Sequence, residues 1–131
     1  MAHKVGIDAV SIERVGKLSS SFITRYYSSS ELKQLQEIEN KEAKKEFLAS
    51  RFAAKEALLK AMGVGLKGFS LNEISVERKE SGEPFFKIKG SVLEFLEKNF
   101  KDYDLQLSLT HEKPLALALV YLEFTEKKFS E

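Results

Sequence analysis

The chain contains no cysteine. That excludes disulfides, thiolate zinc sites and a cysteine nucleophile. Histidine occurs only at His3 and His111, too few for a His-rich metal centre. An excess of charge of either sign is also missing, since the formal net charge over 131 residues is +1. No global field would steer such a protein to nucleic acid, so any basic site must be local. No apolar run approaches membrane-spanning length. Met1-Ala2-His3-Lys4 leads directly into a short strand rather than into the apolar core of a signal peptide. The expectation is a cytoplasmic protein with no membrane and no nucleic-acid partner. With no internal repeat and no Pro/Gly-rich linker, residues 1–131 are expected to form a single domain.

Hydrophobic residues make up 43% and charged residues 31%, a normal globular balance. Lys4 to Ala9 alternates as a strand does. Ser11 is placed to cap a short helix with Ile12, Val15 and Leu18. Ser19-Ser20-Ser21 then predicts a break. Ser28 with Glu31 has the spacing of a capping box before Leu32, Leu35 and Ile38. A longer helix runs from about Asn40 to Gly63, a natural C′ residue. Glu73–Lys79 and Pro84–Lys89 predict strands around Ser81-Gly82. Ser91 with Glu94 has capping-box spacing for a helix to about Phe100. Leu105–Thr110 and Leu115–Phe124 predict a closing hairpin around His111 to Pro114. The order β-α-α-α-β-β-α-β-β implies an α+β fold: a small antiparallel or mixed sheet with a long central helix packed on it.

Two carboxylates stand where folding rules disfavour them. Glu56 interrupts the helical stripe Leu48, Phe52, Leu59, and a charge there needs something positive beside it. Asp8 sits inside the first strand, where aspartate is depleted. Two oxygen ligands completed by water and substrate phosphates is how Mg²⁺ is usually held. The plain alternative is that Asp8 caps the next helix and Glu56 pairs with Lys60 at i, i+4. Lys60, one turn beyond Glu56, is placed to meet a phosphoryl oxygen. The loop Gly63-Val-Gly65-Leu-Lys67-Gly68 lets backbone N–H groups approach a phosphate, although it lacks a Walker A ending. His111 could donate to a phosphate or act as an acid or base. Arg14, Lys17 and Arg25, with Leu18 and Phe22 between them, could dock an acidic helical partner.

Gly6-Ile7-Asp8 followed by Arg14; Arg51-Phe52-Ala53-Ala54-Lys55-Glu56-Ala57 followed by Lys60; and Ser108-Leu109-Thr110-His111 followed by Ala116 and Ala118 resemble three motifs of the bacterial-type 4′-phosphopantetheinyl transferases, the holo-(acyl-carrier-protein) synthase family. The resemblance covers nearly the whole chain in order. It implies transfer of 4′-phosphopantetheine from coenzyme A to a serine of apo acyl carrier protein, with Mg²⁺, for fatty acid biosynthesis. It implies Asp8 and Glu56 as metal ligands and, with Lys60, as the catalytic set. Lys60, Arg51, Gly63, Gly65 and His111 would contact coenzyme A. Arg14, Leu18, Phe22 and Arg25 would form the carrier dock. The family assembles as a homotrimer with clefts between subunits. Serines at Ser19 to Ser21 leave the docking segment less basic than the family pattern. From a different class, a non-catalytic module that binds an acidic helical carrier protein is the alternative reading.

Overall fold

The computed structural model describes residues 1–125. Its elements run β1 (Ala2–Ser11), α1 (Ile12–Gly16), α2 (Ser20–Tyr26), α3 (Ser29–Gln36), α4 (Lys41–Met62), β2 (Ile74–Arg78), β3 (Pro84–Ile88), α5 (Gly90–Asn99), β4 (Lys101–Glu112) and β5 (Leu115–Thr125), with one 3-10 turn at Leu71–Glu73. The α+β expectation is met. The sheet is not a single one and has no parallel pair among the described residues: β1-β5-β4 and β2-β3 are separate antiparallel sheets.

The helix α4 forms where the apolar spacing predicted it. Asn40 accepts from the Ala43 N–H at one end, and Gly63 takes a left-handed φ of 78° at the other. Its face Ala53, Ala54, Ala57, Leu58 and Ala61 packs against Leu107, Ala118, Val120 and Leu122 of the larger sheet. Enclosing a side chain such as Leu58 contributes about 1.5–3 kcal/mol. The run of alanines keeps the helix surface low, so β1 lies almost on its backbone. A methyl group at Gly6 would collide with the Ala57 carbonyl oxygen. Only glycine admits so close an approach. That contact sets the distance between β1 and α4, and hence the placement of Asp8.

Three local expectations are corrected. Ser19 to Ser21 are not simply a break. Ser19 accepts from the Phe22 N–H and caps an additional helix, α2, which opens with Ser20 and Ser21. Ser91 and Glu94 form no capping box, because the cap residue is Lys89 and its side chain makes no cap bond. Glu73 serves instead: its Oε1 accepts from the Ser91 N–H at 3.0 Å, the Ser91 hydroxyl at 2.7 Å and the Val92 N–H at 3.3 Å. Glu73 itself closes the 3-10 turn, and β2 starts at Ile74. The closing hairpin is also tighter than expected. β4 runs to Glu112, His111 pairs with Ala116 in register, and only Lys113-Pro114 remain as the turn. The Ser28–Glu31 capping box forms as expected.

Candidate active site

β1 alternates between two faces. Val5 and Ile7 point outward and are 56% and 57% exposed. Gly6 and Asp8 point toward α4, and Gly6 touches Ala57. Asp8 therefore reaches the part of α4 that carries Glu56 and Lys60. Lys60 donates from Nζ to Asp8 Oδ1 and to the Ile7 carbonyl, each at 3.0 Å. Both plain alternatives are thereby replaced. Asp8 does not cap α1, which Ser11 caps through the Arg14 N–H. Lys60 pairs with Asp8 rather than with Glu56 one turn back. The Asp8 side chain is 15% exposed and Lys60 55%, so the pair borders solvent and its Coulomb energy is screened.

Glu56 is half-buried and accepts from the Tyr26 hydroxyl at Oε2, 2.7 Å away. Tyr26 lies between Phe22 and Phe52, with ring centroids 4.5 and 5.1 Å away. Burial pushes the Tyr26 phenol well above its ordinary range, and the Glu56 bond and the charges of Glu56 and Asp8 push the same way. The phenol thus keeps its proton and remains a donor.

Arg51 lies on another side of α4 and is buried. Its Nη1 donates to Ser50 Oγ at 2.9 Å, and its guanidinium stands 4.0 Å from the centre of the Phe47 ring. Its Nε has no partner. Burial and the neighbouring Arg78 charge push Arg51 down to about 10. Arg51, Arg78, Ser50, Thr110 and His111 line a cleft of about 520 Å³. His111 is exposed on β4, with Nε2 3.9 Å from Glu46 Oε1. Two guanidinium groups and an orphaned buried donor favour an anion there.

The described chain thus forms two groups rather than one. Asp8 and Lys60 meet on the β1 side of α4, and Glu56, one turn before Lys60, is held by Tyr26. Arg51 and His111 share the cleft. Gly63 and Gly65 follow Lys60 at the end of α4, with Gly65 exposed and open space where a Cβ would stand. Arg14 and Arg25 are exposed on α1 and α2. Leu18 and Phe22 are half-buried, Leu18 against the α1–α4 core and Phe22 on Tyr26. Tyr26 was missed by sequence reasoning. The signal was present: Phe22 and Tyr26 are one helical turn apart, as are Phe52 and Glu56.

No set of three or more His, Asp or Glu side chains is grouped for metal binding among the described residues. Asp8 and Glu56 offer hard carboxylate oxygens to a cation completed by water and phosphate, and this donor set suits Mg²⁺.

A family model described as the 4′-phosphopantetheinyl transferase superfamily matches residues 4–120. A holo-(acyl-carrier-protein) synthase of Clostridium kluyveri is 34% identical over 126 residues, 94% of this chain and 91% of that protein. One from Treponema denticola is 37% identical over 121 residues, covering 91% and 96%. Among solved structures, an ACPS–CoA complex from Chronobacterium ammoniagenes superimposes with a TM-score of 0.85 at 28% identity, covering 96% of this chain and 100% of that one. A holo-(acyl-carrier-protein) synthase from Bacillus anthracis in complex with CoA (3′,5′-ADP) gives 0.77 at 30% identity, covering 93% and 96%.

Proposed function

The chain belongs to the 4′-phosphopantetheinyl transferase superfamily, and on that premise we propose that it moves 4′-phosphopantetheine from coenzyme A to a serine hydroxyl of an apo acyl carrier protein. Relatives named holo-(acyl-carrier-protein) synthase, alike over more than nine tenths of this chain, support an enzyme of that kind. The structures with coenzyme A bound support coenzyme A as co-substrate. We take residues 1–131 as one domain of this type.

The observation that carries the reading is the Lys60–Asp8 pair, which brings Asp8 of β1 onto the helix that also carries Glu56. Asp8 and Glu56 would hold Mg²⁺. When bound, the cation supplies positive charge to the pyrophosphate and to the bisphosphate that leaves. Lys60 puts an ammonium where negative charge grows on the phosphoryl oxygens. The nucleophile is the carrier's own serine, so the enzyme needs none. The Arg51–Arg78–His111 cleft provides the anion-binding surface for the nucleotide phosphates. Arg14 and Arg25 on the short helices, with Leu18 and Phe22, form the carrier dock.

The cleft and the carboxylate pair lie on different sides of α4. The outer face of the larger sheet carries Val5, Ile7, Leu119 and Tyr121 exposed. Both observations support a homotrimer in which the cleft of one copy meets the carboxylates of the next. Mixing Glu56→Gln chains with Arg51→Ala chains should then recover activity that neither has alone.

The deciding experiment is incubation with apo carrier protein, coenzyme A and Mg²⁺, followed by intact-mass measurement of the carrier. A gain of one phosphopantetheine is expected. An unmodified carrier that still binds the chain would instead support a non-catalytic module.

A further inference from the structure

We propose that Tyr26 is a positioning residue for Glu56: it holds one carboxylate oxygen and thereby sets where the other faces the cation. The inference rests on the Mg²⁺ reading above and concerns how this chain orients its ligand. Glutamate has three side-chain torsions, and a ligating carboxylate is effective only when a neighbour fixes it. Tyr26 donates to Oε2 at 2.7 Å and leaves Oε1.

The donor itself is firmly placed. The Tyr26 ring is stacked on both faces, at 24° to Phe22 and 15° to Phe52. Its oxygen lies on the ring axis, so a ring flip does not move it. The adjacent Tyr27 is buried and donates to the Leu48 carbonyl at 2.7 Å, which ties the end of α2 to α4. No residue of α2 itself is fully buried, and Ile23 and Tyr26 pack its inner side against the core that holds Tyr27.

The two carboxylates are held in different ways. Asp8 receives a cationic donor, Lys60, and Glu56 a neutral one. A phenol orients Glu56 without cancelling its charge, so the full negative charge remains for the metal. Because α2 also carries Phe22 and Arg25, the proposed docking segment is in direct contact with a proposed metal ligand.

Tyr26→Phe deletes one oxygen and retains the stack. The test is calorimetric titration of Mg²⁺ into the full chain saturated with coenzyme A, with a thermal scan of the unliganded protein. The expected result is Mg²⁺ binding weakened about tenfold, with the melting temperature unchanged to within about 2 °C. Tyr26→Leu, which also loses the stack, should weaken Mg²⁺ equally and lower the melting temperature as well. Wild-type binding with Tyr26→Phe unchanged, or tighter, overturns the positioning role and leaves the Mg²⁺ reading standing. If Tyr26→Leu alone weakens binding, the stack and not the hydroxyl orients Glu56, and the proposal falls. Wild-type protein that binds no Mg²⁺ with coenzyme A present overturns both.

Discussion

Lys55 and Glu31 form an ion pair in which neither side chain reaches solvent, with Nζ 2.7 Å from Oε1. Lys55 also donates to the Leu71 and Ile74 carbonyls. Glu31 accepts from the Ser28 N–H and, through Oε2, from the Val76 N–H. One buried pair thus joins α3, α4 and the start of β2. Burial pushes the Lys55 ammonium down, and the Glu31 charge opposes that shift. Lys55 lies next to Glu56 in the motif, yet its work is structural. Removing one partner strands a buried charge. Lys55→Met should therefore cost about 3–5 kcal/mol in urea unfolding. Glu31→Gln with Lys55→Met should cost less than the sum of the single changes.

Lys60 gives the opposite expectation. It is largely exposed, so Lys60→Ala should change stability by no more than about 0.5 kcal/mol. Phosphopantetheine transfer under single-turnover conditions should slow by a factor equivalent to about 2–4 kcal/mol. Circular dichroism should show the fold intact. Unimpaired transfer would remove Lys60 from the catalytic set.

Glu73 and Glu94 separate the observed cap from the one implied by spacing. Glu73→Ala should lose about 1–2 kcal/mol, because three donors at the start of α5 lose their acceptor. Glu94→Ala should be close to neutral. Thermal unfolding of the two variants side by side checks this, and equal losses would refute it.

Tyr27 carries a pH prediction. Burial, and then the Glu31 charge, raise its phenol well above the ordinary value near 10. The folded form therefore keeps a proton that the unfolded chain releases. The stability this contributes is complete below about pH 10 and declines as pH rises beyond that, by up to about 1.4 kcal/mol per unit. Tyr27→Phe should flatten the alkaline fall in stability by that slope relative to wild type. Parallel curves from pH 9 to 11 would contradict the assignment.

Much of this was legible because the sequence broke local rules at the places that matter. Asp8 in a strand and Glu56 in an apolar stripe were anomalies, and the first ends beside Lys60, the second beside Tyr26. The same reasoning applied to the buried row Arg51, Lys55, Leu58 and Met62 would have exposed Lys55, a second charge among core side chains. α4 and the Ser28–Glu31 box were visible because their signals are local. The Glu73 cap was not, since it joins residues far apart in the chain while Ser91 and Glu94 offered a nearer match. α2 was hidden because serine both ends and begins helices, and only the fold decides which. The separation of Arg51 from Glu56 follows from helix geometry, since five residues turn a side chain well around the axis.

The near-contact of β1 with α4 limits what selection can do with this gene. Arginine-for-lysine exchanges on the surface leave room for drift, but codon 6 has none. A library randomised there and sorted for folded product should return glycine alone, because any side chain lifts the strand away from the helix and takes Asp8 with it.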